Sequence, residues 1–600
     1  MACVLAGWKG HLHPSGTIFV DFCVRLFKLF IMKKAYTLAI SLSISVSVAI
    51  PAHSQTIQWL RGILGHGSND GQAVAIDSSG NCYATGWIQD TAYFDPDHRP
   101  LISDGNLNGF LVKYDANGNI LWLKKFSGPA DVAPNGLAID AFGNCFVTGA
   151  FLDTVKFPTL SGSFDLSSAG SADIFIAKYD SNGNFIWAKR AGGTLWDDGV
   201  VISAAPSGVF AIAGDFEGTS EFGNLPNLET IKSASDTAYD LFVALYNPDG
   251  SLQWVAEGGG PATDHGNAVA VSNDNTVYAG GTFEDTATWI NGFKTFVSAG
   301  SSDDILLKLT ATGSPGWATR IGGHREDFLN GISVADGKCY FIARNGNGVQ
   351  PPPDTVTYDS SGLEVALDGL GPEKKIGMLA AFDASSGFRL WEQNVNVNGY
   401  CNPTALAQSP DRKLFVAGEF QDTVSFSYSS DSTTKISRGA DDLYLSEWDT
   451  SGVLKWVNTG GSIGNDFVYG IAADSTRCVG TGTFEDALVY QGLQLISQAP
   501  DNAFVYSFRK DSKFSSPSLV REVQSRNLSF SASIVGNLLS ISGLPFPGKR
   551  IRICNVLGNE VYPRLLSPNI SSTSLTFDLS ALPKGLLIID YDNIVRKVIW

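Results

Sequence analysis

Gly71-Gln-Ala-Val-Ala-Ile-Asp77, a turn through Ser78-Ser79-Gly80-Asn81, then Cys82-Tyr-Ala-Thr-Gly-Trp87 read as two short strands joined by a tight turn. Gly109-Phe-Leu-Val-Lys-Tyr-Asp115, a turn through Ala116-Asn117-Gly118-Asn119, and Ile120-Leu-Trp-Leu-Lys-Lys125 add two more. Aromatic and branched residues suit the strands, and glycine supplies the turn dihedrals that crowd other residues. Four antiparallel strands therefore make one unit, and the unit recurs. Leu137-Ala-Ile-Asp140, Asn144-Cys-Phe-Val-Thr-Gly149, Asp173-Ile-Phe-Ile-Ala-Lys-Tyr-Asp180 and Phe185-Ile-Trp187 repeat it in order.

The period is read from Trp59, Trp122, Trp187, Trp254, Trp317, Trp391 and Trp456, which are 63, 65, 67, 63, 74 and 65 residues apart. A sheet this small cannot bury its faces alone, so the units must pack on one another, radially or along a line. The ends favour a ring. Ile57-Gln58-Trp59 is a fourth strand without its preceding three, and the last unit, ending at Ala503-Phe-Val-Tyr-Ser-Phe508, lacks a tryptophan strand. If the first strand completes the last sheet, the chain is an all-β, seven-bladed β-propeller over residues 55–515 with no edge strand left open. An open solenoid is the alternative, and the insertion around Gln350-Pro-Pro-Pro353 makes the fifth unit the least regular.

The 64 Gly, 36 Phe, 18 Tyr and 13 Trp agree with turn-rich β structure, and the formal charge of -17 with no basic run disfavours nucleic acid as a partner. Met32-Lys33-Lys34, the apolar run Ala35–Ile50 and Pro51-Ala52-His53-Ser54 have the layout of a secretory signal peptide over 32–54, with 1–31 an upstream extension or an atypical N-terminus that anchors the chain. Cys82, Cys145, Cys339 and Cys478 recur at matching places and read as small packing residues; a disulfide remains open.

The recurring Gly-Asn-aromatic strand, the Asp-x-Phe-x-x-Lys-Tyr-Asp strand and the tryptophan strand resemble the bacterial SBBP β-propeller repeat family, a resemblance that implies the fold and no activity. After a linker over 516–527, residues 528–600 read as a small β-sandwich. Ile551-Arg-Ile-Cys-Asn-Val-Leu-Gly-Asn-Glu560, Phe577-Asp-Leu-Ser-Ala-Leu-Pro-Lys-Gly585 and Tyr591-Asp-Asn-Ile-Val-Arg-Lys-Val-Ile599 are similar to a type A C-terminal sorting domain of the Bacteroidetes type IX secretion system. That resemblance implies the type IX machinery as a partner and a secreted or cell-surface location after periplasmic transit. Leu586-Leu587 departs from its pattern, and a Tyr-Pro-Asn-Pro entry is missing.

No motif isolates a catalytic centre, so the expectation is a binding scaffold for an extracellular glycan, protein or envelope component. A polysaccharide lyase or hydrolase and a purely structural surface protein are the alternatives. Trp87, Trp196, Trp289 and Trp448 lie outside the repeat and are the candidates for recognition, while the seven periodic tryptophans are structural. Asp115, Asn117 and Asn119, with Asp180, Asn182 and Asn184, alternate as calcium ligands do, yet Asp, Asn and Gly also make turns. Calcium is the one cofactor this pattern admits. A second set, Asp90, Asp153, Glu217, Glu284-Asp285, Asp422 and Glu485-Asp486, follows the second strand of each unit and reads as strand-end turns or a ring of carboxylates. His66, His98, His265 and His324 show no metal-ligand spacing.

Overall fold

The computed structural model describes residues 56–510 apart from short gaps, the longest being 346–375 with two short strands inside it, and the backbone of seven strands between 531 and 599. The signal peptide, the 516–527 linker and His324 lie outside the described residues.

Each repeat forms an antiparallel sheet of four main strands. Blade 1 comprises Asn69–Ile76, Cys82–Phe94, Arg99–Tyr114 and Ile120–Phe126, and blade 2 runs from Val132–Ile139 through Cys145–Thr159 and Gly162–Tyr179 to Phe185–Gly193. Blade 3 has Asp197–Ala204, Phe210–Phe216, Asp240–Tyr246 and Leu252–Gly259; blade 4 has Asp264–Val271, Val277–Trp289, Lys294–Leu309 and Pro315–Gly322. Blade 5 is built from Asp327–Ala335, Lys338–Asn345, Ile376–Asp383 and Arg389–Asn394, and blade 6 from Asn398–Gln408, Lys413–Ser427, Ser432–Asp449 and Leu454–Gly460. Blade 7 takes Asp466–Ala473, Arg477–Phe484 and Asn502–Arg509 from the end of the repeat region and Thr56–Gly65 from its beginning.

Thr56 to Ile63 runs antiparallel along Ala503 to Arg509, so the first strand fills the outer position that the last repeat lacks. The first strands of successive blades adjoin one another all the way round, from Asn69–Ile76 to Asp466–Ala473 and back to Asn69–Ile76. They therefore line the centre of the seven-bladed ring, and the tryptophan strands lie outermost.

What joins one blade to the next is the tryptophan and a turn. The Trp59 indole N–H donates to the Ala116 carbonyl, Trp122 to Ser181, Trp254 to Ala311, Trp317 to Ala384 and Trp391 to Thr450, at 3.0–3.2 Å. Every one of these carbonyls sits in the turn before the outer strand of the following blade. The ring face lies on a glycine of the same turn: a Cβ on Gly118, Gly183, Gly313, Gly387 or Gly452 would come within 2.6–2.9 Å of the tryptophan of the preceding blade. Those glycines have φ of 74–83°. The turn glycine is thus demanded twice, by its own backbone and by the indole above it.

Two joints depart from the pattern for visible reasons. At the Ala116 position blade 3 has Pro248, whose carbonyl takes the Lys178 ammonium at 2.8 Å as Ser181 and Ala384 take Lys113 and Lys308, but here Trp187 Nε1 is buried without a partner. Blade 7 has no such turn, because its third and outer strands come from opposite ends of the propeller. There Trp456 donates to Glu447 at 2.9 Å and stacks on Phe508, and Lys510 lies 4.6 Å over Phe415.

The carboxylates after the second strands resolve into two kinds. Asp90, Asp153, Asp285, Asp422 and Asp486 have φ of 54–64°, and four of them sit where the register slips before the strand runs on into its hairpin. Aspartate tolerates this left-handed bulge conformation. In blade 3 the bulge residue is Gly218, with φ 65°, which is why Glu217 stands one place out of step.

Cys82, Cys145, Cys339, Cys401 and Cys478 are free and buried in the blades. The C-terminal strands form one sheet of four, from Ser531–Val535, Leu538–Ser542, Ser574–Asp578 and Arg564–Leu565, and one of three, from Ile551–Cys554, Leu586–Tyr591 and Ile594–Ile599.

Gly313→Ala tests the joint. Forcing alanine into this φ costs about 1–2 kcal/mol, and the collision with Trp254 adds to it. Gly337 has φ 71° with nothing within 4 Å of a Cβ, so Gly337→Ala carries the backbone cost alone. Thermal unfolding is expected to show Gly313→Ala as clearly the less stable of the two; equal losses would mean that the indole contact contributes nothing.

Candidate functional site

Antiparallel connection puts the two kinds of turn on opposite faces of the ring. One face carries the tight turns after the first and third strands; the other carries the long hairpins between second and third strands and the loops that enter each blade.

On the tight-turn face the aspartates of blades 1 and 2 are satisfied within their own turns. Asp115 Oδ1 accepts the backbone N–H of Asn117 and of Asn119 at 2.8 and 2.9 Å, and Oδ2 accepts Asn119 Nδ2 at 2.9 Å. Asp180 repeats the arrangement with Asn182 and Asn184, as do Asp77 and Asp140 in the other turns of blades 1 and 2. Burial works against the charged form of Asp115 and Asp180, but these hydrogen bonds outweigh it and hold both carboxyls below the usual range. The residues considered for calcium thus close their own turns, with their carboxylates turned inward on the loop's amides. Among the described residues, no group of three His, Cys, Asp or Glu is placed to hold a metal ion.

The hairpin face is different. At the start of each first strand, the residue nearest the mouth of the ring is Asp70, Ala133, Asp198, His265, Phe328, Asn402 or Phe467. Its cross-strand partner is Trp87, Ala150, Asp215, Thr282, Arg344, Glu419 or Thr483 in turn. These two columns form a rim in which six blades place acids, aromatics, an imidazole, a guanidinium or an amide and blade 2 places two alanines.

Its most developed sector spans blades 2 to 4. Asn135 Nδ2 donates to Asp198 Oδ1 at 2.8 Å across one joint, and His265 Nδ1 meets Asp215 Oδ2 at 2.8 Å across the next. Gly266 N–H donates to Asp215 Oδ1 at 2.8 Å, and the Tyr239 ring lies 6.0 Å from the imidazole. Burial, reinforced by the neighbouring Asp215 charge, pushes the Asp198 carboxyl up to about 7. The hydrogen bond to Asp215 raises His265 against the opposing effect of burial. A partly protonated acid and an oriented imidazole therefore share one corner of the mouth.

Around the rim, Arg344 lies 4.4 Å over the Phe328 ring, and Asn402 donates to Glu419, whose other oxygen is buried without a partner. Burial pushes Glu419 to about 7; burial, and then the Asp501 charge, does the same to Asp70.

The four nonrepeated tryptophans divide. Trp87, half-buried, stands opposite Asp70 in the rim, and Trp196, 37 % exposed, lies in the loop that enters blade 3, two residues before Asp198. Trp289 and Trp448 are 0 and 2 % exposed. Their reading as surface recognition residues is corrected: Trp289 packs over Gly258, where a Cβ would come within 2.2 Å of its ring, and Trp448 donates to Ser446 inside blade 6. Asp198, Asp215, Tyr239 and Arg344 were not singled out from the sequence. His66 and His98 are exposed on loops and do not join His265.

No family model matches the chain. It is 28 % identical over 201 residues to the regulatory protein FlaEY of Caulobacter vibrioides, covering 31 % of this chain and 20 % of that protein. It is 22 % identical over 507 residues to an uncharacterized WD repeat-containing protein of Acanthamoeba polyphaga mimivirus, covering 72 % of this chain and 36 % of that one. The chain thus spans a fifth to about a third of the length of these relatives. Among solved structures, BamB from Moraxella catarrhalis superposes with a TM-score of 0.29 at 13 % identity, covering 71 % of this chain and 98 % of that one. Quinohemoprotein alcohol dehydrogenase from Comamonas testosteroni does so at 0.33 and 11 %, covering 80 % and 79 %. Scores this low carry no argument; the fold rests on the chain's own strand pairing, and that pairing makes it a β-propeller repeat protein.

Replacing Asp215 by Asn removes the charge that holds the proton on His265. The pKa of His265, followed by NMR of labelled histidine rings, is expected to fall in this variant. An unchanged titration would show that Asp215 does not set the imidazole.

Proposed function

We propose that the protein is an exported recognition scaffold that binds a neutral or basic glycan at the mouth of the ring. The observation that carries this reading is the rim itself, where exposed Trp196 and half-buried Trp87 stand among Asp70, Asp198, Asp215, Asn135 and Asn402. Aromatic faces with hydrogen-bonding carboxylates and amides suit the apolar and hydroxyl faces of a sugar ring. The carboxylates and the overall charge of -17 disfavour uronate-rich polymers and nucleic acids. Export through the signal at 32–54 and delivery to the cell surface by the 528–600 tail, with the type IX machinery as partner, complete the proposal; it rests on the sequence resemblance of the tail. Calcium has no assigned part in it.

A hydrolytic reading has one observation in its favour. His265 bonds Asp215 through Nδ1, and Asp215 stands opposite Asp198, an acid pushed up to about 7.

Both readings are tested with the purified chain, titrated against neutral, amino-sugar and uronate-containing oligosaccharides with product release followed in parallel. Saturable binding of neutral or basic glycans is expected, weakened about tenfold or more by Trp196→Ala, the loss of one stacked ring, with unfolding unchanged. Tighter binding of uronates, or indifference to Trp196→Ala, would contradict the proposed mouth. Product formation abolished by His265→Ala would replace binding by catalysis.

A further inference from the structure

At five of the seven joints blades share a second set of places, on the hairpin side of the tryptophan. It joins a residue where the third strand of one blade re-enters the sheet, opposite the end of the second strand, to the residue at the start of the first strand of the following blade. In three joints both are aspartates that act on each other, Asp173 with Asp197, Asp240 with Asp264 and Asp442 with Asp466; Asp303 and Asp327 hold the same places between blades 4 and 5, where both act on Asp304. All of these aspartates are buried. At the joint that closes the ring both are asparagines, Asn502 and Asn69, equally buried, with Asn502 Oδ1 accepting Gly65 N–H at 2.7 Å. There the fold builds the same contact from neutral side chains.

The acidic joints differ in how their charge is met. Arg190 pairs with Asp173 at 2.6 Å, and Arg320 pairs with Asp303. Both arginines stand three residues after the blade tryptophan, Trp187 or Trp317. In blade 3 the residue three after Trp254 is Glu257, so the joint between blades 3 and 4 gains a third carboxylate where its neighbours have a guanidinium. Asp240 Oδ2 accepts Ala234 N–H at 2.8 Å, while Oδ1 is buried without a partner in a residue 4 % exposed. Asp264 accepts Gly260 and Glu284 N–H at 2.7 and 3.2 Å. A Cβ on Gly259 would lie 2.4 Å from Asp240 Oδ1 and 2.8 Å from Asp264 Oδ2, so both carboxyl groups flank the same glycine, and the Asp240 charge acts on Asp264.

We propose that a proton shared between Asp240 and Asp264 closes the joint between blades 3 and 4 and makes it a pH-sensitive joint of the ring. The hydrogen sits on one carboxyl and bonds to the other, giving the pair one negative charge and filling the open valence of Asp240 Oδ1. Glu257 faces the pair from the outer strand of blade 3, its Oε2 accepting Lys232 N–H at 3.0 Å. Glu284 adjoins on the second strand of blade 4, and Asp303, neutralised by Arg320, begins the third. His265, bound to Asp215, follows Asp264 on its own strand. Among the described residues no lysine or arginine pairs with Asp240, Glu257 or Asp264.

Burial is the first cause that raises Asp240 to about 6 and Asp264 to about 8. Both folded values lie above the unfolded 3.8, so the folded pair keeps its proton where the unfolded chain gives it up. The stability this lends is complete at acid pH and is lost as pH rises through the folded values. Loss of the proton loosens the strand that carries His265 into the mouth.

The test is the melting temperature of the full chain from about pH 5 to about pH 8.5, which brackets the folded values. Asp264→Asn copies the neutral closing joint, and Glu257→Arg installs the arginine of the joints on either side. The wild type is expected to lose stability across this range and both variants to lose less, with the gap widest at the alkaline end. Hydrogen exchange of the segment around Gly260 at that end is expected to be several-fold slower in Asp264→Asn. Glu257→Arg running parallel to the wild type would overturn the proposal, whether or not Asp264→Asn folds. So would millimolar calcium restoring the wild type at alkaline pH, since a metal ion would then hold the pair.

Discussion

Seven sheets of this size cannot stand alone, and the contact that lets them stand together is the indole of one blade seated on the turn of the next. The turn must expose a carbonyl to the N–H and a bare Cα to the ring. An aspartate that binds its own loop amides, followed by a glycine at positive φ, delivers both. One requirement thus accounts for the tryptophan period, the Asp-x-Asn-Gly turns that end at Gly118 and Gly183, and the glycine kept at 313 where Thr310 replaces the aspartate. A buried indole with its hydrogen bond is worth several kcal/mol, of the order of the stability of a small domain. Pro248 shows how far the scheme bends before a joint loses its hydrogen bond.

That commitment divides the molecule. The tight-turn face is largely consumed by structure, because turn carboxylates such as Asp77, Asp115, Asp140 and Asp180 bind their own loops and turn carbonyls such as Ala116 and Ser181 bind the neighbouring blade. The hairpin face carries the variation. Its rim column runs through Asp, Ala, Asp, His, Phe, Asn and Phe, so the blades place five residue types at equivalent positions. Identical blades hold the column in place; unlike residues in it make a mouth with distinct corners.

The period, the strand order and the use of Thr56–Gly65 as an outer strand are legible from the sequence because each follows from local chemistry repeated many times. Trp289 and Trp448 mislead because a tryptophan outside the period looks available, whereas hairpin geometry folds one over Gly258 and strand alternation turns the other inward. The mouth is harder to see. Asn135 and Asp198 are 63 residues apart and His265 and Asp215 are 50 apart, so their meeting depends on how consecutive blades pack, which no local pattern encodes. A signal does exist. Aligning the repeats on Gly71, Gly199 and Gly266 puts Asp70, Asp198 and His265 in one column, and a column that changes chemistry inside an otherwise regular repeat marks a working position. The paired aspartates carry the same kind of signal in the run Gly259-Gly260 to Asp264, visible once the neighbouring units are read beside it.

All of this depends on the ring being closed by the strand at the front of the repeat region. Hydrogen exchange of the backbone amides of residues 56–65 in the native chain tests that directly, compared with the outer strand Leu252–Gly259 of blade 3. The account predicts comparable slow exchange in both segments, since Thr56–Gly65 pairs along Ala503–Arg509 as any outer strand pairs with its third. Exchange of 56–65 at the rate of a free chain end, with 252–259 protected, would contradict a closed seven-bladed ring.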